Sequence, residues 1–145
     1  MVNDMYTLEE IAALRQKCAS LKLEGAEKLD KYKNAELQKI CNGIGPEAFP
    51  YGVRSITTSL HPTLEPVAVI HDVEFEESDG LKSTFTAIND RYYTNGIAAA
   101  KAEYGWYNPV RYVVIAQALR HARLCQLGGW CGYRELHERN RSNGS

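Results

Sequence analysis

Apolar residues recur at helical spacing along most of the chain, and this pattern predicts an all-α fold. A capping box opens the first predicted helix, with Thr7 as the N-cap and Glu10 at the third helical position. Behind it runs a first apolar stripe: Leu8, Ile11, Leu14, Cys18 and Leu21. Gly25 interrupts this stripe, and a second one predicts helix to about Cys41: Leu29, Tyr32, Leu37 and Ile40.

Three further helices follow in the second half of the chain. Pro66 suits the first turn of a helix that ends in the polar turn Glu76–Gly80. Helix resumes near Lys82 with a broad apolar face: Phe85, Ile88, Tyr92, Tyr93 and Ile97. Asn108 and Pro109 form an N-cap and first helical position, and the strongly apolar segment after them is predicted to be the central core helix.

We therefore expect one small helical domain in three parts. Residues 1–40 form an N-terminal helical extension, residues 41–124 the core and residues 125–145 a C-terminal tail. The core is expected to rest on two antiparallel helices, one carrying His71 and Asp72 and the next carrying Asp90.

A cluster of helix-breaking residues, Asn42-Gly43-Ile44-Gly45-Pro46, separates the N-terminal helices from this core. Its backbone carbonyls could ligate a hard cation such as calcium, and its amides could hold an oxyanion. The simpler alternative is a turn with no further role. Residues 47–65, which include two prolines, are predicted to form an irregular connection.

The residues with the most suggestive chemistry are His71 and Asp72. On a helix, adjacent side chains leave about 100° apart, so the two can line neighbouring subsites, one as a general base and the other as a cation ligand. The alternative is a half-buried histidine beside a solvated acid. Asp90 lies among aromatic residues and needs a partner, which is Arg91, solvent or His71. His121 is expected at the surface.

Composition narrows the function classes. The chain has 145 residues and a net charge of −1, so no global field points to nucleic acid or an anionic membrane. Six acids and one base lie between residues 72 and 90, whereas eight bases and three acids follow from residue 91, which suggests an acidic centre suited to a cation. A nucleic-acid partner has the weakest support, resting on one basic group: Arg111, Arg120, Arg123 and Arg134.

Location and redox state follow from what the sequence contains. No basic-then-apolar segment of the secretory type opens the chain, and no apolar run is long enough to span a bilayer. We therefore expect the protein in the cytoplasm of a host cell or in a virion. The four cysteines lack metal-type spacing and are expected to be free thiols.

The Cys41–Pro46 loop, the His71-Asp72 pair and Asp90, in this order, resemble the phospholipase A2 superfamily, especially its short bacterial and parvoviral branches. Small phage-encoded proteins also carry a similar loop followed by a His-Asp helix. The resemblance covers roughly Cys41 to Leu124.

The resemblance implies a role for each of these residues. His71 would deprotonate a water that attacks the sn-2 ester carbonyl, and Asp90 would orient its imidazole. Asp72 would bind Ca²⁺, which would polarise the carbonyl. Backbone carbonyls of the loop would complete the calcium ligands: Asn42, Gly43 and Gly45.

The chain departs from the family pattern at Phe75, where family members usually carry a tyrosine four residues after the histidine. Tyr92, Tyr93 and Tyr112 are candidates to supply the missing hydroxyl. Two functions stay open: a calcium-dependent hydrolase acting at a phospholipid membrane surface, and a catalytically silent scaffold. The scaffold would be a virion structural or host-interaction protein, with N-terminal helices that could support a homo-oligomer.

Overall fold

The computed structural model describes residues 6–41 and 61–128, and all secondary structure in these ranges is helical, which confirms the all-α prediction. Two short 3-10 helices cover Ala26–Lys31 and Pro62–Leu64. The five α-helices are α1 Leu8–Ser20, α2 Asn34–Cys41, α3 Glu65–Glu77, α4 Lys82–Glu103 and α5 Pro109–Gly128. The predicted calcium-loop residues Asn42, Gly43 and Gly45 lie outside the described residues.

Helix α4 runs antiparallel to α3, and α5 runs antiparallel to α4, as the contacts between their residues show. Phe75 stacks on Phe85, with ring centroids 5.7 Å apart, and His71 contacts Asn89, so residue numbers fall along α3 as they rise along α4. Between α4 and α5 the pairs Gln126–Thr86 and His121–Tyr92 show the same reversal.

The most buried helix is α3, so the prediction that the apolar helix from Val110 is the central one is wrong. Nine of the 13 residues in α3 are buried, but only five of the 20 in α5. The reason is that α3 packs against α1, α2 and α4 on different sides. A helix that is apolar on most faces is typical of such an enclosed position. Helix α5 instead buries one face and exposes the other.

The N-terminal helices share the core of α3. Helix α1 begins with the predicted capping box, in which Thr7 accepts from the Glu10 amide and the Glu10 carboxylate accepts from the Thr7 amide. Its buried Cys18 donates its thiol hydrogen to the Pro66 carbonyl oxygen, 3.1 Å away. Leu29 and Leu37 are almost fully buried in the same cluster.

Two contacts fix the segment after α1 against α3 and α4. Gly25 adopts a φ of 93°, and a Cβ on it would lie 2.9 Å from the Ile70 methyl carbon, so the turn needs glycine. The buried Asn95 side chain pairs with both backbone groups of Glu24, accepting from its amide at 2.9 Å and donating to its carbonyl at 2.8 Å. The N-terminal part of the chain is therefore held at a defined place on the core.

None of the described helices is long and apolar enough to cross a membrane.

Candidate functional site

His71 lies in the middle of α3, buried between aromatic rings of α3 and α4. Its ring makes edge-on contacts with Phe75, at a centroid distance of 4.2 Å, and with Tyr92, at 5.0 Å. Only 6% of the residue is exposed. Burial lowers the pKa of His71 to about 4, against a smaller opposing effect of its hydrogen bond to Asn89. The imidazole is therefore neutral at pH 7.

The partner of His71 is Asn89 and not Asp90, which corrects the sequence-based expectation. His71 Nε2 lies 2.9 Å from Asn89 Oδ1, and Asn89 is buried. Asp90 is exposed, and its carbonyl oxygen accepts from the Thr94 hydroxyl on the next helical turn. The reason is helical phase, since Asp90 follows the buried position by one residue and so points about 100° away.

The sequence did contain a signal for Asn89. It lies four residues after Phe85 and three before Tyr92, and both of these belong to the apolar stripe that faces α3. A polar residue at such a phase is aimed into the core and needs a partner there. The family motif implies the neighbouring acid, Asp90, in this role instead.

The Asn89 amide continues a chain of side-chain hydrogen bonds to α5. Asn89 Nδ2 donates to Gln126 Oε1 at 2.8 Å, and Gln126 Nε2 donates to Thr86 Oγ1 at 2.9 Å. Because Asn89 turns its oxygen toward His71, the histidine donates from Nε2 and its Nδ1 carries the lone pair. Within the described residues, no hydrogen bond reaches Nδ1.

Asp72 follows His71 on α3 and keeps part of its surface exposed. Its carboxyl group makes no hydrogen bond or ion pair with any described residue, and burial raises its pKa to about 8. Burial, and then the charge of Asp72, also raise the pKa of the Cys41 thiol and raise that of Cys125 to about 12. Within residues 6–41 and 61–128, Asp72 is therefore a carboxyl group without a compensating charge.

Among the described residues, Asp72 is the one predicted calcium ligand, so the fit to calcium is judged on its carboxyl group. A partly enclosed carboxylate is a suitable ligand for a hard cation, and a bound cation would remove the energetic cost of its uncompensated charge. No group of three or more histidine, cysteine or acidic side chains that could hold a metal ion occurs in residues 6–41 and 61–128. The remaining predicted ligands are backbone carbonyls of a loop outside those ranges.

Two further predictions about single residues have clear outcomes. His121 is buried, not at the surface, and its Nδ1 lies 3.3 Å from the Tyr92 hydroxyl. Burial, and then the charge of Arg120, lower the pKa of His121. Because the Tyr92 hydroxyl lies against His121, it does not replace the tyrosine hydroxyl that the family carries at the position of Phe75. Tyr112 donates to the Trp106 carbonyl, away from the site.

A buried ion pair adjoins the site and was missed by sequence reasoning. Glu74 is 4% exposed, and both of its carboxylate oxygens accept from Arg91 at 2.6–2.9 Å. Lys28 is a second, more distant partner at 3.4 Å. These contacts join α3, α4 and the 3-10 helix Ala26–Lys31 one turn after His71, and they engage Arg91, which was one of the candidate partners of Asp90.

No protein-family model, curated protein or solved structure matches the chain. The resemblance to the phospholipase A2 superfamily stays a prediction from the motifs.

Proposed function

We propose that the chain is a calcium-dependent, phospholipase A2-like ester hydrolase in which His71 is the general base. The observation that carries this proposal is the hydrogen bond from His71 Nε2 to Asn89, which leaves the lone pair on Nδ1 of a neutral imidazole. A base must be unprotonated at the working pH, and its tautomer must be fixed for the proton transfer.

The chemistry proposed for this chain is limited to proton transfer and orientation. His71 Nδ1 takes a proton from a water molecule as the water oxygen attacks the ester carbonyl, and it returns that proton to the leaving alcohol. Asn89 holds the ring through its amide oxygen, as asparagine does in Cys-His-Asn sites. When bound by Asp72 and the loop carbonyls, calcium supplies the positive charge that polarises the ester carbonyl.

The exposed turn that joins α4 and α5 supports a lipid surface as the partner. Trp106 and Tyr107 lie in the turn between α4 and α5 and are 75% and 76% exposed. The same corner exposes Val110 and Val113. Trp and Tyr are enriched where proteins meet the headgroup region of a bilayer. This corner is therefore the proposed contact with phospholipid.

Helix α5 continues this surface away from the corner and adds positive charge to it. Its outer face combines apolar and basic residues: Tyr112, Val113, Ala116, Arg120, Arg123, Leu124 and Leu127. Residues 109–128 contain three arginines and no acid. A helix face of this composition suits the surface of an anionic bilayer.

A direct test is hydrolysis of phospholipid vesicles containing phosphatidylglycerol. We expect fatty-acid release in millimolar calcium, none in a chelator, and a loss of about 100-fold or more in His71→Gln, since a general base contributes at least this factor. Asp90→Asn is the matched control, because this exposed acid does not touch His71, and it should keep full activity. Equal release by wild type and His71→Gln contradicts the proposal.

The second candidate is a silent scaffold that acts as a virion structural or host-interaction protein. The observation that favours it is the amide partner of a histidine that is 6% exposed. An amide stabilises an imidazolium less than a carboxylate does, so this His71 is a weak base. Absence of hydrolysis, together with assembly that is lost when outer-face residues of α5 are changed, favours the scaffold.

A further inference from the structure

Four side chains form a hydrogen-bonded relay across α3, α4 and α5. We call them the amide relay: His71, Asn89, Gln126 and Thr86. Its three contacts measure 2.9, 2.8 and 2.9 Å, which are ordinary hydrogen-bond distances. The relay begins at a buried imidazole and ends at a hydroxyl near the start of α4.

Two amides in series can point only in matched directions. Each has an acceptor oxygen on one side and donor hydrogens on the other, so a turn of Gln126 forces Asn89 to turn as well. In the direction seen here, every donor points away from His71, and the imidazole proton is on Nε2. In the reverse direction the Asn89 amide nitrogen would donate to Nε2, and the imidazole proton would move to Nδ1.

Thr86 is compatible with both directions, because a hydroxyl can donate or accept. The choice between the two tautomers of His71 is therefore made by the relay as a unit. Gln126 is its only member on α5, where it is half-buried and contacts both residues of α4.

We propose that Gln126 and Thr86 are positioning residues that set the tautomer of His71 through the amide of Asn89. The hydrogen-bond pattern assigns them this role, and only its catalytic meaning rests on the proposed function. With the observed direction, Nδ1 is available as the base. With the reverse direction, Nδ1 carries the proton and cannot accept another.

The decisive variant is Gln126→Lys, because an ammonium group only donates and therefore forces Asn89 to turn. Nitrogen-15 NMR of the histidine-labelled full chain at pH 7.5 reports which ring nitrogen carries the proton. We expect Nε2–H in the wild type and Nδ1–H in Gln126→Lys. Ala13→Lys places the same charge at an exposed position of α1, away from the relay and from α5, and should leave the tautomer unchanged.

A second pair of variants covers poor folding of Gln126→Lys. Gln126→Met removes the relay contact without adding charge, and we expect both tautomers of His71 to become populated. Asn89→Asp uncouples the relay, because a carboxylate accepts from Nε2 whatever residue 126 does. In the Asn89→Asp background, neither change at residue 126 should alter the tautomer.

Hydrolysis supplies a separate readout. If the proposed function holds, Gln126→Lys loses activity about 100-fold, the lower range of what a general base contributes, while Ala13→Lys keeps it. If no hydrolysis is found in any protein, the NMR result still decides the relay. A wild type protonated at Nδ1, or a tautomer that stays wholly Nε2–H in both Gln126→Lys and Gln126→Met, overturns the proposal.

Discussion

His71 Nε2 lies 2.9 Å from Asn89 Oδ1, so an amide holds the histidine where the family resemblance implied a carboxylate. The amide can fix the tautomer of the ring, but it brings no negative charge to stabilise a protonated imidazole. Burial then dominates, and the pKa of His71 falls to about 4. His71 is therefore an oriented imidazole of low basicity.

Asn89→Asp should raise the pKa of His71, because a carboxylate at hydrogen-bond distance stabilises the imidazolium. A stronger base also speeds proton transfer, so we expect hydrolysis at pH 7 to rise on the order of tenfold. An NMR titration of His71 measures the pKa directly. Asp90→Asn is the control and should leave this titration unchanged. A His71 pKa that does not rise in Asn89→Asp contradicts the arrangement described here.

Asp72→Asn should stabilise the protein in a pH-dependent way. Burial raises the pKa of Asp72 from 3.8 to about 8, so the wild type loses stability as pH rises through this interval. The stability difference between the variant and the wild type should be near zero below pH 4 and reach on the order of a few kcal/mol above pH 8. The lowered pKa of His71 also reduces stability as pH falls below 6.5, but this loss is the same in the variant and the wild type and cancels in the difference.

Thermal melting from pH 3.5 to 8.5 in a chelator measures this difference. Asp30→Asn, at an exposed position, is the matched control and should follow the wild type at every pH. A difference that shrinks as pH rises would show that the Asp72 carboxylate has a stabilising partner in the folded state.

Gly96→Ala should destabilise the α4–α5 pair. A Cβ at Gly96 would lie 2.5 Å from the Ala118 Cβ, too close for any two carbon atoms, so the helices must move apart. We expect a net loss of about 1–3 kcal/mol, although alanine is the better helix former by about 1 kcal/mol. Denaturant melts measure the loss. Adding Ala118→Gly should restore stability, and the absence of such rescue argues against this contact.

Most of the fold was within reach of the sequence, whereas the site was only partly so. Apolar periodicity, the capping box and Pro109 placed the α-helices, because these signals act within one or two turns. The exposure of α5 was not predictable, because large apolar side chains lie on both its covered and its outer face and only tertiary packing decides which face is covered. The pairing of His71 with Asn89 likewise depends on the relative rotation of two helices, to which a dipeptide motif is insensitive.

Arg91→Ala should cost about 3 kcal/mol of unfolding free energy, because among the described residues it leaves the buried Glu74 carboxylate with only the more distant Lys28. The matched control is Lys31→Ala, which removes the partner of Glu77 from a pair whose lysine is largely exposed. That change should cost less than about 1 kcal/mol. Denaturant melts compare the two, and equal losses would mean that burial adds nothing to the Arg91–Glu74 contact.

We propose that His71 drives hydrolysis of the sn-2 ester, and the most direct test of this role uses a phospholipid with different acyl chains at sn-1 and sn-2. Mass spectrometry of the products, with vesicles in calcium, identifies the chain released. We predict release of the sn-2 fatty acid by the wild type and by Asp90→Asn, and none above background by His71→Gln. No release by the wild type, or equal release by His71→Gln, would contradict the account.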